Sequence, residues 1–267
     1  MPLDDTTRAA FALSLLGALD ERRPIAPLTE VAPDLTVDDA YAIQRLTIEQ
    51  RCNRGARVVG MKIGLTSRAI QQALGVNEPD FGHLLSTMRV ADGGTIDLST
   101  LVAPRAEGEI AFVLGSDLPE TDCSEADVLA CTAFLMPTIE IIDSRIRDWK
   151  LTLADTIADN ASSGLFVLGG RKVPIDGLDL RTLGMNVEVN GDIHVTGAGA
   201  AAMGSPVTSV AWLATTLGHY GIRLRAGDIV LSGGLAAPYA PKSGDWMRVS
   251  MQHLGSVSVR FTGGEGN

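Results

Sequence analysis

Two glutamates stand two residues apart in the segment RAEGEI (105–110). On a β-strand, Glu107 and Glu109 would point to the same face, because side chains alternate with a period of two. Neighbouring carboxylates repel each other unless a cation or a shared proton offsets their charge. The pair therefore indicates a cation site, although a solvated strand face would show the same spacing.

A third carboxylate, Glu140, lies in the otherwise apolar, strand-like segment PTIEIID (137–143). A charged residue in such a segment is expected to be paired, to coordinate a ligand or to lie at a strand end. Three carboxylates without clustered histidines or cysteines favour a hard cation, Mg²⁺ or Mn²⁺, over zinc. The alternative for Glu140 is an ordinary ion pair.

Lys62 is the first candidate for proton transfer. It lies between glycines in GMKIGLTS (60–67), where burial would require an anion nearby and would lower its pKa toward values useful in acid–base catalysis. The alternative is an edge-strand lysine that reaches to solvent. Asp80 in PDFG (79–82) is the second acid–base candidate, although aspartate in such a motif often only stabilises a turn.

Two serines are candidates for substrate binding. Ser162 lies in the polar run DTIADNASSG (155–164), which we expect to form a loop that holds a ligand carboxylate through backbone N–H groups and the serine hydroxyl. The alternative is a loop that satisfies only its own hydrogen bonds. Ser232, which precedes the pair Gly233-Gly234, is the second candidate.

Helical patterns dominate the beginning of the chain. Apolar residues at helical spacing predict a helix over residues 5–22, which Pro24 ends. Residues 24–35 contain three prolines and indicate an extended connector. Thr36 begins a second helix that ends at Gly55. Residues 1–57 are therefore predicted to form an N-terminal helical region.

From Val58 onward, short β-like segments are separated by glycine-rich turns, and Asn190-Gly191 is a strong hairpin signal. These features predict an α+β chain with a β-rich catalytic domain over residues 58–267. The predicted strands cover 58–63, 95–97, 107–114, 137–143, 164–168, 185–189, 229–231, 246–251 and 256–261, and the predicted helices cover 67–74, 124–133 and 207–220.

Composition excludes several classes of protein. The 267 residues include 22 basic and 32 acidic ones, a net charge of −10. The basic residues are scattered except for the pair Arg22-Arg23, so nucleic acid is not an expected partner. No stretch approaches the roughly 18 apolar residues of a membrane span, and the acidic N-terminus does not resemble a secretory signal. We therefore expect a cytoplasmic protein without a membrane partner. Three cysteines are too few for a disulfide framework.

Taken together, seven segments resemble the 2-keto-4-pentenoate hydratases (2-hydroxypenta-2,4-dienoate hydratases) of the fumarylacetoacetate hydrolase superfamily. They occur in the order found in that family: GMKIGLTS (60–67), LGVNEPDFGHL (74–84), PRAEGEIAFVL (104–114), PTIEIIDSRIRDWK (137–150), DTIADNASSGLFVLGG (155–170), GAGAAAMGSP (197–206) and GSVSVRF (255–261). The resemblance implies a β-rich mixed roll after the helical region. It also implies Mg²⁺ or Mn²⁺ held by the matching residues Glu107, Glu109 and Glu140, with Lys62 in the pocket.

The resemblance further implies a hydro-lyase of the meta-cleavage degradation of aromatic compounds. Its substrate would be 2-hydroxypenta-2,4-dienoate or a close homologue, and its product a 4-hydroxy-2-oxo acid. A homo-oligomer is implied, and a complex with the decarboxylase or aldolase of the same pathway is possible. The related 4-oxalocrotonate decarboxylases are the main alternative, because they share most of these segments and Gly233-Gly234 is closer to theirs. Another lyase or hydrolase of the superfamily and a scaffold without turnover are further alternatives.

Overall fold

The computed structural model describes residues 2–264, and its first part is helical. Three helices come first: α1 (Asp5–Glu21), α2 (Leu28–Val31) and α3 (Val37–Asn53). The Asp4 and Thr36 side chains cap α1 and α3 by accepting hydrogen bonds from backbone N–H groups in the first turn. Helix α2 was not predicted. It forms because Pro27 pre-sets the backbone and its carbonyl accepts the Glu30 N–H, so the connector is not extended throughout.

Strands make up most of the remaining chain. The strands are β1 (Val58–Gly64), β2 (Asp80–Leu85), β3 (Arg89–Val90), β4 (Thr95–Asp97), β5 (Pro104–Leu114), β6 (Thr132–Asp143), β7 (Ser163–Leu168), β8 (Gly184–Val189), β9 (Asp192–Ala198), β10 (Ile229–Leu231), β11 (Trp246–Met251) and β12 (Gly255–Thr262). The helices among them are α4 (Arg68–Leu74), α5 (Glu125–Cys131), α6 (Leu153–Ala158) and α7 (Pro206–His219).

The strands form two sheets. One has seven strands in the order β2-β1-β10-β5-β6-β7-β3, and the other has five in the order β4-β12-β11-β8-β9. Most neighbouring pairs are antiparallel, while β1–β10, β3–β7 and β4–β12 are parallel. The β8–β9 hairpin turns at Asn190-Gly191, where both residues have positive φ. The predicted α+β fold with a β-rich roll after N-terminal helices is confirmed.

The N-terminal helices share one hydrophobic core with the sheets. Helix α3 packs against α1 and α6, and Phe11 and Ile43 belong to the same buried cluster as Ile63 and Phe112 of the seven-stranded sheet. The division at residues 57 and 58 stays a prediction. None of the helices within residues 2–264 has both the length and the apolar character that crossing a membrane requires.

The segment 155–164 differs from the predicted loop. Residues up to Ala158 belong to α6, and residues 160–162 form a short 3₁₀ turn before β7. The reason is a capping box: Thr152 Oγ1 accepts the Asp155 N–H (3.2 Å), and the Asp155 carboxylate accepts the Thr152 N–H (3.1 Å). Asp80 likewise does not lie in a turn, because it begins β2 and pairs with Gly64 of β1.

Candidate metal and substrate site

The register of β5 and β6 brings the three glutamates together. Glu107 lies directly opposite Glu140, and Glu109 lies opposite Thr138, in the antiparallel pairing of these two strands. Since Glu107 and Glu109 share one face, all three carboxylates converge there, with one oxygen of each within 4.8 Å of the others. Glu109 and Glu140 are fully buried, and Glu107 is 9% exposed.

This cluster costs free energy unless a cation balances it. Burial raises the pKa of all three carboxyl groups, that of Glu107 to about 7, and the Glu140 charge adds to the rise at Glu107 and Glu109. Glu109 Oε1 and both Glu140 carboxylate oxygens are buried without a hydrogen-bond partner among the described residues. Oxygen atoms that are buried, close together and unpaired fit a hard divalent cation.

Two glycines after β10 allow the backbone to pass close to the glutamate carboxylates. The Gly233 N–H donates to Glu109 Oε2 at 2.7 Å. At Gly234, a Cβ atom would lie 2.3 Å from Glu107 Oε2, so no larger residue fits without displacing that carboxylate. The pair Gly233-Gly234 was noted in the sequence, but its contacts with the glutamates depend on strand pairing and could not be predicted from it.

Lys62 reaches the cluster from β1. Three strand spacings separate β1 from β6 in the sheet order, roughly 14 Å in a flat sheet. The curl of the sheet and two long side chains nevertheless bring Lys62 Nζ within 3.2 Å of Glu140 Oε2. The contact is a buried ion pair, since the two side chains are only 3% and 0% exposed. Lys62 Nζ also donates a hydrogen bond to the Ala161 carbonyl at 3.0 Å.

The expected lowering of the Lys62 pKa is wrong for the chain without a cation. Burial alone would lower it, but the carboxylates of Glu140, Asp80, Glu109 and Glu107 outweigh burial and raise the Lys62 pKa. The sequence could not show this, because these four groups come from three other strands. Lys62 therefore carries a positive charge in this arrangement.

Asp80, the first residue of β2, lies beside Lys62 of the neighbouring strand β1. Burial raises the Asp80 pKa even though the Lys62 charge and a hydrogen bond from Thr156 oppose it. Thr156 Oγ1 donates to Asp80 Oδ2 at 2.9 Å, while Asp80 Oδ1 has no partner among the described residues. A Cβ atom on Gly64 would lie 2.2 Å from Asp80 Oδ1, so a glycine is needed there for the carboxylate to keep this position.

A left-handed turn supports Lys62 from the other side. Asn160, Ala161 and Ser162 have φ values of 55°, 49° and 54°, a conformation that costs L-residues roughly 1–2 kcal/mol each. The Asn160 side chain anchors the turn to β2 by accepting the His83 N–H (2.7 Å) and donating to the His83 carbonyl (3.0 Å). The turn places the Ala161 carbonyl against Lys62 Nζ and the Ser162 hydroxyl in the cavity.

The two predicted substrate-binding serines differ in position. Ser162 lines the cavity, and its buried Oγ has no partner among residues 2–264. Ser232 is fully buried, its Oγ accepts the Ile110 N–H at 3.3 Å, and it does not line the cavity. Only Ser162 of the two is placed to meet a ligand in this cavity, and the substrate-binding roles of both serines stay predictions.

Part of this group of residues lines a cavity of about 290 Å³. Its polar lining includes Lys62, Asp80, Glu107 and Ser162, and its apolar lining is Leu65, Ile70, Ile142, Trp149, Leu151 and Pro238. Arg105 and Thr156 also line it, although neither was predicted as a site residue from the sequence. The only available signal for Arg105 was its position two residues before Glu107 on the same strand face. The cavity suits a small ligand with a polar end and an apolar end.

The chain is similar to known proteins over most of its length. The Fumarylacetoacetate (FAA) hydrolase C-terminal family matches residues 59–262. A 2-keto-4-pentenoate hydratase of Paraburkholderia xenovorans (strain LB400) is 46% identical over 260 residues, which are 97% of each chain. A 2-hydroxypent-2,4-dienoate hydratase of Pseudomonas putida is 50% identical over 221 residues, which are 82% of this chain and 100% of that relative.

A solved structure shares the fold over nearly the whole chain. It is the 4-oxalocrotonate decarboxylase from Pseudomonas putida G7, complexed with magnesium and adipate. The TM-score is 0.94 at 39% sequence identity, and the match covers 97% of this chain and 98% of that one. The two hydratases are thus more similar to this chain in sequence than the decarboxylase is. The three-dimensional likeness to the decarboxylase covers the N-terminal helices as well as the two sheets.

Proposed function

The chain belongs to the fumarylacetoacetate hydrolase family, and we propose that within it the protein is a metal-dependent hydratase of 2-hydroxypenta-2,4-dienoate or a close homologue. The enzyme is a hydro-lyase that forms a 4-hydroxy-2-oxo acid in the meta-cleavage degradation of aromatic compounds. Hydratases at 46% and 50% identity support the substrate class. The observation that carries the proposal is the cluster of three buried glutamates with Lys62 beside it. Glu107 and Lys62 connect this cluster to a small cavity, which they line.

Glu107, Glu109 and Glu140 would hold the divalent cation, Mg²⁺ or Mn²⁺, through oxygen atoms alone. When bound, such a cation supplies a Lewis acid that stabilises negative charge on the C2 oxygen of a 2-oxo acid. Glu109 is fixed for this role by the Gly233 N–H, and Glu107 is confined by Gly234.

The reaction requires two proton transfers to carbon and the addition of one water molecule. Loss of the C2 hydroxyl proton and protonation at C5 convert the dienoate to a 2-oxo-3-enoate. Water then adds at C4, and C3 takes up a proton. Lys62 and Asp80 are the acid–base groups next to the glutamates, and both are buried, which limits exchange of their protons with bulk water.

Dependence on the cation gives a direct test. Exhaustive chelation should abolish turnover of 2-hydroxypenta-2,4-dienoate, and Mg²⁺ or Mn²⁺ should restore it better than Zn²⁺, since all the proposed ligands are oxygen atoms. Disappearance of dienoate absorbance measures the rate. Full activity in a preparation that elemental analysis shows to be metal-free would refute the role of the three glutamates.

Decarboxylation of 4-oxalocrotonate is the second candidate, because the decarboxylase structure superposes with a TM-score of 0.94. Loss of CO₂ would give an enolate of the same kind at the same site. Parallel assays distinguish the two reactions: loss of dienoate absorbance reports hydration, and release of CO₂ reports decarboxylation. A kcat/KM value that is higher for 4-oxalocrotonate than for the dienoate would refute the assignment as a hydratase.

We also propose that the protein acts in the cytoplasm as a homo-oligomer, as expected from the family resemblance. The molecule that it binds is the dienoate substrate. Sedimentation should give a mass that is a multiple of the 28.1 kDa chain at micromolar concentration. A monomer mass would contradict the proposal, and co-sedimentation with the decarboxylase or aldolase of the pathway would establish a complex.

A further inference from the structure

The Thr156 hydroxyl is a polar group of the cavity for which the proposed chemistry has given no role. Thr156 lies on α6, is buried and lines the cavity together with Asp80. Its Oγ1 atom donates to Asp80 Oδ2 at 2.9 Å, although the two residues are 76 positions apart in the sequence. Among the side chains of residues 2–264, Thr156 alone donates a hydrogen bond to the Asp80 carboxylate.

This hydrogen bond distinguishes the two oxygen atoms of the Asp80 carboxylate. Oδ2 is bound, while Oδ1 has no hydrogen-bond partner among the described residues. The terminal torsion of an aspartate has a broad range, so without the bond the two oxygens could exchange positions. A threonine hydroxyl carries one proton, and the proton donated to Asp80 is therefore not available to a ligand.

The free oxygen, Asp80 Oδ1, lies close to Lys62. A Cβ atom on Gly64 would lie 2.2 Å from Asp80 Oδ1 and 3.3 Å from Lys62 Nζ, so both atoms lie near one point. Gly64 lines the cavity, as Asp80 and Lys62 do. The two acid–base groups of the proposed reaction thus meet at this part of the wall, and the bond from Thr156 determines which Asp80 oxygen is there.

Gln44 fixes the position of Thr156 relative to Asp80. Its Nε2 atom donates to the carbonyls of Phe81 at 2.9 Å and of Ile157 at 2.8 Å. These two residues directly follow Asp80 and Thr156 in the chain, so one buried side chain of α3 connects the two backbone segments. The Thr156 hydroxyl therefore keeps its place beside the start of β2.

We propose that Thr156 is a positioning residue, which holds Asp80 Oδ2 so that Oδ1 is presented to the substrate. The assignment rests on the proposed function, because Asp80 is an acid–base group of that reaction. Thr156 acts through Asp80 and binds neither the substrate nor the cation. Its contribution is to the rate of proton transfer and not to the affinity for the substrate.

Steady-state kinetics with 2-hydroxypenta-2,4-dienoate tests this assignment in the Mg²⁺-loaded protein. Thr156→Val keeps the shape of the side chain and removes the donor. It should lower kcat about 10- to 100-fold, the value of one hydrogen bond to a charged group, and leave KM nearly unchanged. Thr156→Ser keeps the hydroxyl and should recover most of the loss. Wild-type kcat in Thr156→Val would overturn the proposal.

A double-mutant comparison shows whether Thr156 acts through Asp80. In an Asp80→Asn background, Thr156→Val should change kcat little, because the carboxylate that the hydroxyl positions is already absent. An equal loss of kcat in both backgrounds would overturn the proposal, because it would indicate a general effect on the structure.

Calorimetry with 2-oxopentanoate, an analogue without a carbon–carbon double bond, gives a readout apart from turnover. Wild type and Thr156→Val should bind it equally. A loss of affinity that matches the loss of kcat would overturn the proposal, because Thr156 would then bind the substrate.

The matched control is Thr47→Val, which removes a buried helical hydroxyl that donates to the Ile43 carbonyl of its own helix, α3. This variant should keep the kcat of the wild type. Thermal unfolding checks the fold of each variant, and Thr156→Ala replaces Thr156→Val if valine prevents folding.

The proposed function and the role of Thr156 can fail separately. A wild type that converts 4-oxalocrotonate but not the dienoate would refute the hydratase. The same variants are then compared on 4-oxalocrotonate, whose decarboxylation also leaves an enolate that takes up a proton. A lower kcat in Thr156→Val would support the role of Thr156 there, and an unchanged kcat would overturn it.

Discussion

At the scale of single residues, the three glutamates destabilise the sheet that carries them. Glu107 and Glu140 lie directly opposite each other, and like charges in that position oppose strand pairing. Their oxygen atoms are buried, so water offsets little of the repulsion. If the three glutamates hold the cation as proposed, its binding recovers this free-energy cost.

Glu109→Gln should therefore separate stability from cation binding. The amide oxygen can still accept the Gly233 N–H, while one buried charge is lost. In the presence of a chelator, we expect the variant to unfold at the same denaturant concentration as the wild type or a higher one. The variant should lose the stabilisation by Mg²⁺. For the wild type, this stabilisation raises the free energy of unfolding by about 2.7 kcal/mol when Mg²⁺ is present at 100 times its Kd.

Denaturant unfolding with and without Mg²⁺ measures both effects. Glu188→Gln on β8 is the matched control, because it removes a carboxylate from the other sheet and should keep the full Mg²⁺ response. A Glu109→Gln variant that Mg²⁺ stabilises as much as the wild type would exclude Glu109 as a ligand.

Lys62→Met tests proton transfer. Turnover should fall about 10²- to 10⁴-fold, the contribution of a positioned acid–base group. Cation affinity should stay equal or become tighter, because a positive charge 3.2 Å from Glu140 is removed. Steady-state rates and Mg²⁺ calorimetry measure the two quantities.

Lys172→Met is the control for Lys62→Met, since Lys172 is exposed and its ammonium lies over the Phe134 ring. Wild-type turnover in Lys62→Met would rule out the catalytic role. Loss of the cation instead would make the lysine a structural part of the cation site.

The glutamate cluster could be predicted from the sequence because its first two members share a strand face within five residues. The direction of the Lys62 pKa could not, because it depends on carboxylates that strand pairing brings from β2, β5 and β6. Arg105 was missed for a similar reason: an arginine at a strand start has no distinctive pattern until Trp149 is seen beneath it.

At the scale of elements, β2 depends on a neutral histidine. Gln44 of α3 donates through Nε2 to the carbonyls of Phe81 and Ile157, which turns its Oε1 toward His83 Nδ1 at 3.0 Å. His83 Nδ1 must therefore be the donor of that bond. Burial lowers the pKa of His83 to about 4, so the imidazole stays neutral in the fold.

The pH dependence of stability follows from His83. Above pH 6.5 both the folded and the unfolded chain hold a neutral imidazole. Below it the unfolded chain takes up a proton that the fold does not accept until about pH 4. The free energy of unfolding should thus fall by roughly 3 kcal/mol from pH 6.5 to pH 4 through this residue.

Urea unfolding at several pH values measures this change in the wild type and in His83→Gln. The variant should show a smaller fall, while His219→Gln, at an exposed histidine that ends α7, should behave like the wild type. An identical pH dependence in His83→Gln and wild type would contradict the assignment.

Many elements could be predicted from local signals, such as the Thr36 N-cap and acidic first turn of α3 and the alternating burial pattern of β11. Besides α2, the predicted ranges did not include helix α6 or the strands β2, β3 and β9. The polar residues of α6 resemble a loop unless the Thr152–Asp155 capping box is recognised, and the Pro-Asp-x-Gly motif that opens β2 resembles a turn. In both cases the buried polar groups serve the site, so local polarity was misleading.

At the scale of the whole molecule, the N-terminal helices complete the core. Tyr41 of α3 stacks on Phe81 of β2 with ring centres 4.2 Å apart, and the Thr29 hydroxyl donates to Asp155 at 2.7 Å. We therefore expect residues 58–267 alone to lack cooperative thermal unfolding, because removal of the helices exposes the apolar face that they cover.

Calorimetric scans of this fragment and of the full chain, prepared in parallel, test the dependence. A fragment that unfolds cooperatively and binds Mg²⁺ would show that residues 58–267 are an independent domain. The predicted boundary at 57 and 58 would then also be a folding boundary.

The left-handed turn at Asn160–Ser162 limits how far this protein can be stabilised without loss of activity. Alanine at position 161 is in a conformation that glycine adopts without steric cost, so Ala161→Gly should gain up to about 1 kcal/mol. The same change removes the stiffness that keeps the Ala161 carbonyl against Lys62. A laboratory selection for heat resistance alone would thus favour glycine at this position while turnover declines, a trade-off between stability and activity located in one turn.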